Sequence, residues 1–282
     1  MSAFVPAVRA EFTKTLSTRM WWVLLIILFA YVGLLAAGIS FGLGALDGSG
    51  EANAGPAPAG TGDTIAGLPV GLLAPIVYSL ATSVGYVFPT LLGALVVTNE
   101  FRHKTLTPTF LATPGRGSVL SAKWVVLLVF GALFGVVALL GTVGLGAAGL
   151  ATFGFDAQLG ESDMWALFAR AVLAMALWGL VGVGLGVMVP SQVGSIVIIL
   201  AFTQFVEPIL RLAASFADWA AQVGRFLPGA ASDALVGSSI YTAMSGTAMP
   251  QLDWWQGGLV LLGYAALFTL IGYFANWRRD VT

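Results

Sequence analysis

The chain has 282 residues, of which 58% are hydrophobic and 9% charged, with a formal net charge of -1. A soluble domain carries about 25% charged residues, so there is too little charge to cover a water-facing surface, and no basic domain for nucleic acid can be assembled. With no cysteine and one histidine, His103, disulfides, thiolate metal sites, cysteine nucleophiles and histidine-rich metal centres are excluded.

In chain order, Arg9, Lys14 and Arg19 precede an uncharged run from Met20 to Leu46, 27 residues long. A signal-peptide core is about 7 to 15 residues, so this run reads as a retained membrane span. A helix needs about 20 mainly apolar residues to cross the hydrocarbon core. By that measure the spans fall at 21–43, 75–97, 124–150, 165–189, 193–212 and 254–277. Pro89 is expected to kink the second, because proline removes a backbone donor and crowds the preceding turn. The long uncharged stretch 171–206 is divided into two antiparallel helices by the turn signal Pro190-Ser191-Gln192. Trp254, Trp255, Tyr273 and Trp277 stand where amphipathic rings favour the two interfaces of the last span. The fold class is therefore an all-α polytopic membrane protein, one transmembrane domain over 1–282.

Arg9, Lys14, Arg19, Arg102, Lys104, Arg116, Lys123, Arg278 and Arg279, nine of the twelve basic residues, fall on one side of this arrangement. That side is expected to be the cytoplasm, with both termini in it. Asp47, Glu51, Asp63, Asp156, Glu161, Asp163, Asp218, Asp233 and Asp253 fall on the other. The segment 44–74 is rich in Gly, Ala and Pro and reads as a flexible external loop. The external stretch 213–253 mixes apolar residues and charges at helical spacing, the pattern of a segment that dips into the membrane or lies on it. No internal repeat is clear, so inverted-repeat carrier folds gain no support.

The motifs of intramembrane or soluble catalysis are missing from the sequence: HExxH, GxSxG and CxxC do not occur, and neither does GxxxxGK[ST]. If ATP drives this chain, the ATPase is another chain. The glycine runs 141–149 and 179–186 lie within apolar spans and serve close helix approach. Glu207 and Arg211, spaced i to i+4 near the outer end of the fifth span, share a helix face. They read either as an interfacial ion pair that eases insertion or as a polar contact in a transport pathway. Arg170 is expected to snorkel to headgroups. Carboxylates in mid-span, which a proton- or ion-coupled carrier needs, are not found in the other five spans. His103, between Arg102 and Lys104, reads as a solvated loop residue or a partner contact.

The one polar cytoplasmic loop of real size is 98–123, with Phe101, Leu106, Phe110 and Leu111 at helical spacing before a break at 113–115. A positive-inside anchor explains its four basic residues but not its regular apolar positions; a short helix offered to a partner explains both. The strings AEFTKTLSTRMWW at 10–22, Glu100-Phe101-Arg102 and Leu111-Ala112-Thr113-Pro114, in their order among six spans, resemble type-2 ATP-binding-cassette permeases, in particular the actinobacterial multidrug and antibiotic exporter branch. The resemblance implies an amphipathic elbow helix over 1–19 carrying Glu11, Phe12, Lys14 and Arg19. It implies a coupling helix in 98–123 whose Glu100, Phe101, Arg102, His103 and Thr105 face a separate P-loop ATPase, and an external re-entrant region before the last span. It further implies a bacterial plasma-membrane exporter of an amphipathic drug, antibiotic, peptide or lipid, working as a homodimer or as a heterodimer with a similar permease. This chain would bind no cofactor and no metal, ATP and magnesium residing on the partner. A non-pumping membrane immunity or scaffold protein that binds a toxic amphiphile is the competing class.

Overall fold

The computed structural model describes residues 4–53, 64–65, 68–112, 115–214, 216–245 and 251–278. Residues 54–63 of the expected external loop, Thr113 and Pro114 of the loop motif, and Arg279 lie outside them. Six helical stretches among the described residues are long and apolar enough to cross a membrane: Met20–Leu46, Val70–Arg102, Arg116–Thr152, Ser162–Met188, Gln192–Ala214 and Trp254–Trp277. The chain is a predominantly helical, multi-pass membrane protein.

The first helix, α1 (Phe4–Ser17), lies outside those six. Ala7, Glu11 and Thr15 form its buried stripe at the i, i+4 spacing of one helix face, while Val5 and Leu16 stay exposed. The buried stripe packs on α6 (Arg116–Thr152). After a short bend α2 (Met20–Asn53) begins; it continues past the expected end at 43, so the first part of the segment read as a loop is helix. A two-residue antiparallel pair, β1 (Thr64–Ile65) with β2 (Leu68–Pro69), sets Thr64 opposite Pro69 and leads through a tight turn at Val70–Leu72 into the second span.

The second span is two helices, α3 (Leu73–Ser83) and α4 (Val87–Arg102). The break falls at 84–86, the turn preceding Pro89: Gly85, four residues back, has no N–H to accept from at Pro89, and its carbonyl accepts from the Phe88 N–H at 3.1 Å instead, which is the kink expected of this proline. After α5 (Leu106–Ala112), α6 starts at Arg116, ahead of the expected 124, so much of the polar segment 98–123 belongs to the ends of α4 and α6. α7 (Ser162–Met188) ends just before Pro190, and Ser191 caps α8 (Gln192–Ala201) by accepting from the Gly194 N–H at 3.2 Å. The fifth span continues through a wide π-helical turn at Phe202–Val206 into α9 (Glu207–Ala214). Three short helices follow, α10 (Asp218–Gly224), α11 (Pro228–Val236) and α12 (Ile240–Ser245). The sixth span is α13 (Trp254–Gly272), extended by a second π-helical turn at Tyr273–Trp277.

α7 is the centre of the bundle, flanked by α4, α6 and α13, and α2 lies against α6. The close approach of α4 and α7 depends on glycine. A Cβ at Gly93 would run into the Gly179 carbonyl, and one at Gly182 would run into the Thr90 carbonyl. Outward faces are apolar and unpartnered: Ile26 and Leu34 on α2, Val193 and Val197 on α8, Leu259 and Leu270 on α13 are all exposed. Helices that are apolar all round suit a lipid solvent, in which that surface needs no polar cover.

Candidate functional site

Two clusters of charge are buried in this apolar bundle, one toward each end. The first joins α1 to the α4 and α6 ends. Lys123, at the start of α6, is fully buried, and its ammonium contacts Glu11 Oε2 at 2.5 Å and Glu100 Oε2 at 2.9 Å. Lys14 contacts Glu11 Oε1 at 2.8 Å and Glu100 Oε1 at 2.9 Å. Each lysine thus touches both glutamates, and the four groups close into a ring of alternating sign with no net charge. The Lys123 to Glu100 edge is an ion pair without hydrogen-bond alignment. Lys14 also donates to Thr109 Oγ1 at 3.3 Å, which brings α5 to the same point.

Burial alone would push the Glu11 carboxyl up, but the adjoining Lys123 and Lys14 ammonium groups outweigh it and hold Glu11 below the usual carboxylate range. Burial likewise opposes the charge on Lys14, yet Glu100 and Glu11 hold its ammonium above the usual lysine range.

Aromatic contacts secure the rest of this end. Trp277 is buried between Phe101 of α4, at 5.9 Å, and Phe110 of α5, at 5.4 Å, both edge-on. Its indole N–H donates to the Arg116 carbonyl at 3.0 Å, and Arg116 donates to the carbonyl of Arg278 at 2.6 Å while lying over the Phe110 ring. Trp277 is therefore a packed strut and not the interfacial ring expected of it. Phe12 meets Phe130 at 5.4 Å, holding the other flank of α1 to α6.

The second cluster lies between α9 and α11. Arg211 donates to Glu207 Oε1 through Nε at 3.2 Å and Nη2 at 3.0 Å, and to Asp233 Oδ2 through Nη1 at 2.6 Å. Glu207 is 1% exposed and Asp233 5% exposed. Gly229 makes room for them, since a Cβ there would strike Glu207 Oε1 and the Arg211 guanidinium. A small polar cavity beside the three is bounded by Ser83, Tyr86, Thr203, Ser232 and Tyr241. The Arg211 guanidinium also covers the Tyr241 ring, at 4.7 Å from its centre.

Of the residues singled out in sequence, Glu11, Phe12 and Lys14 are brought together with Glu100 and Phe101, while Arg19 is exposed and apart. Glu100 is turned into the ring and so is not part of a surface offered to a partner. Arg102, His103 and Thr105 are exposed; Arg102 donates to Gln192 Oε1 at 2.8 Å, tying the end of α4 to the start of α8. Glu207 and Arg211 do pair, but in a buried triad with Asp233, which the sequence reading had placed among the external acids. Arg170 lies over the Trp254 ring at 5.1 Å.

Sequence reasoning missed two members, Lys123 and Asp233. Asp233 carried a signal: it is an acid within PGAASDALV, otherwise small and apolar over two helical turns. Lys123 carried none beyond its place beside the apolar run, since basic residues there are expected on topological grounds. No protein-family model matches the chain, and none of the curated proteins matches it.

Proposed function

We propose that this chain is the membrane-spanning subunit of an exporter in the bacterial plasma membrane, driven by ATP hydrolysed on a separate P-loop subunit, with an amphipathic molecule as cargo. The observation that carries the reading is the bracing of α1, outside the spans, against the ends of the second and third spans by the four-charge ring, with α5 held beside them. In this reading α1 is the elbow helix and α5 the coupling helix. Leu111, 80% exposed at the tip of α5, is the apolar residue offered to the partner, with Arg102 and His103 beside it. In this reading motion of α5 passes through Phe110 to Trp277 of the sixth span, from Trp277 to Phe101 of α4, and through Thr109 to Lys14 of α1, so one docking event moves three elements as a unit. The basic residues gathered at this end support a cytoplasmic position for it and for both termini. The outward apolar faces of α2, α8 and α9 supply, in this reading, an apolar cargo path where two permease copies meet.

Tagged chain is purified from its native host in mild detergent, and the co-purifying proteins are identified and assayed for ATP hydrolysis. A stoichiometric P-loop ATPase that is lost on Leu111→Asp, with helicity and insertion unchanged, supports the reading. Recovery of the chain alone, under conditions that keep other membrane complexes intact, overturns it in favour of a non-pumping scaffold or immunity protein.

A further inference from the structure

The second charged cluster does not balance. Two carboxylates, Glu207 and Asp233, share one guanidinium, Arg211, leaving one negative charge among buried groups. Charge left unpaired in a low-dielectric interior is costly, several kcal/mol per ion by order of magnitude even after relaxation. The first cluster, by contrast, has two of each sign and needs nothing more.

Two buried oxygens at the same spot also go unused. Glu207 Oε2 and Ser83 Oγ make no hydrogen bond, and both residues line the small cavity. The Ser83 hydroxyl lies near enough to Asp233 to favour its charged form but is not aligned to donate to it. The Tyr86 hydroxyl, buried between α3 and α4, borders the same space. A buried oxygen normally has a partner, so two orphans facing one polar cavity indicate an occupant. The space is about the size of a single water, which excludes an amphipathic cargo. A surplus of one negative charge matches a monovalent ion and not a divalent one.

We propose that this cavity holds one small monovalent cation, a sodium ion or a proton, on Glu207 Oε2 with Ser83 as second oxygen, completing the charge of the Glu207–Arg211–Asp233 triad. The groups that face Glu207 are Arg211 from its own helix, Asp233 from α11, Tyr86 from the break in the second span and Tyr241 from α12, with Tyr264 of α13 farther off. Among them Arg211 is the sole cation, and it is already engaged by both carboxylates. Bound cation would pin α11 to the fifth span; its loss would leave one uncompensated negative charge between those elements, with Arg211 still shared by the two carboxylates. The inference does not depend on the exporter reading, because it concerns only this chain's charge balance.

The test uses the full chain in nanodiscs, with thermal unfolding followed by tryptophan fluorescence in sodium chloride against choline chloride at equal ionic strength, and from neutral to mildly acidic pH in choline. A midpoint that rises with sodium, not choline, and loses that response in Glu207→Gln and Ser83→Ala identifies a sodium site. A midpoint indifferent to sodium that rises on acidification, with the rise abolished in Glu207→Gln and kept in Ser83→Ala, identifies a bound proton. Asp233→Asn makes the same charge change from the other side and replaces Glu207→Gln if that variant fails to insert. Wild-type and charge-neutralised chains responding alike to both sodium and pH would overturn the proposal.

Discussion

Replacing Lys123 with methionine tests whether the ring at the α1 end is a buried brace. The substitution keeps most of the volume of a fully buried side chain and deletes one of two positive charges. Glu11 and Glu100, both nearly inaccessible, would then rely on Lys14 alone, whose side chain is 44% exposed. Breaking a buried ion pair from one side costs about 3–5 kcal/mol, against about 0–1 kcal/mol for an exposed pair. Lys14→Met should accordingly cost less than Lys123→Met, since the half-exposed Lys14 ammonium is already screened by water and the buried Lys123 stays on both glutamates. The measurement is equilibrium unfolding in mixed micelles of the single variants and of Lys123→Met combined with Glu11→Gln, which leaves Lys14 and Glu100 as a balanced pair. Relief of part of the loss in the double variant, by about 0.5–3 kcal/mol, is the coupling expected of residues in contact. A cost for Lys123→Met below about 1 kcal/mol would refute the reasoning, because the ring would then behave as a solvated surface pair.

The same ring predicts a stability plateau in pH. Glu11 is depressed below its ordinary value of 4.5, so its contribution is present above that value and is lost as pH falls through the lower folded-state value; Glu11→Gln removes that part of the acid limb. Lys14 is raised above 10.5, so its contribution is present below that value and is lost only as pH rises through the higher folded-state value, a limb that Lys14→Met removes in an unfolding series at alkaline pH. Gly229→Ala should lower the thermal midpoint clearly, since the new methyl meets Glu207 and Arg211, whereas Gly263→Ala, where the methyl meets open space, should leave it unchanged. Trp277→Ala should cost about 3–5 kcal/mol by emptying a packed aromatic site, and should speed proteolysis in the segment 103–115 as α5 loses its support.

The spans were legible because lipid makes the rule simple: apolar length decides crossing, and Pro190 with the Ser191 cap marks where a long apolar stretch must turn. Helix ends were less so. α2 runs on beyond 43 and α6 starts at Arg116 because small and polar residues continue a helix once its apolar part is packed, a tertiary influence that composition does not carry. The charged clusters were half legible. Glu207 and Arg211 are local, at i and i+4, whereas Asp233 joins them from 22 residues beyond Arg211 and Lys123 joins Glu11 across 112 residues. Charge patterning along one helix cannot reveal partners that only packing brings together. Pro89, by contrast, was legible: it supplies no donor to the Gly85 carbonyl, and the second span breaks in that preceding turn.

The backbone irregularities meet at one place, and that coincidence links the second span to the fifth. The Tyr86 hydroxyl, at the break, donates to the Thr203 carbonyl, in the π-helical turn at 202–206, at 3.4 Å, and the Tyr86 carbonyl accepts from both the Thr90 N–H at 3.3 Å and Thr90 Oγ1 at 2.7 Å. Tyr86 also stacks on Trp178 of the central helix at 4.3 Å, and Trp178 donates to Ser232 beside Asp233. At the opposite end of the same two spans Arg102 is bonded to Gln192. The second span is thus broken in its middle beside the charged cavity and bonded to the fifth both there and at its end, while the neutral ring, through Glu100, ties that same end to α1 and α6.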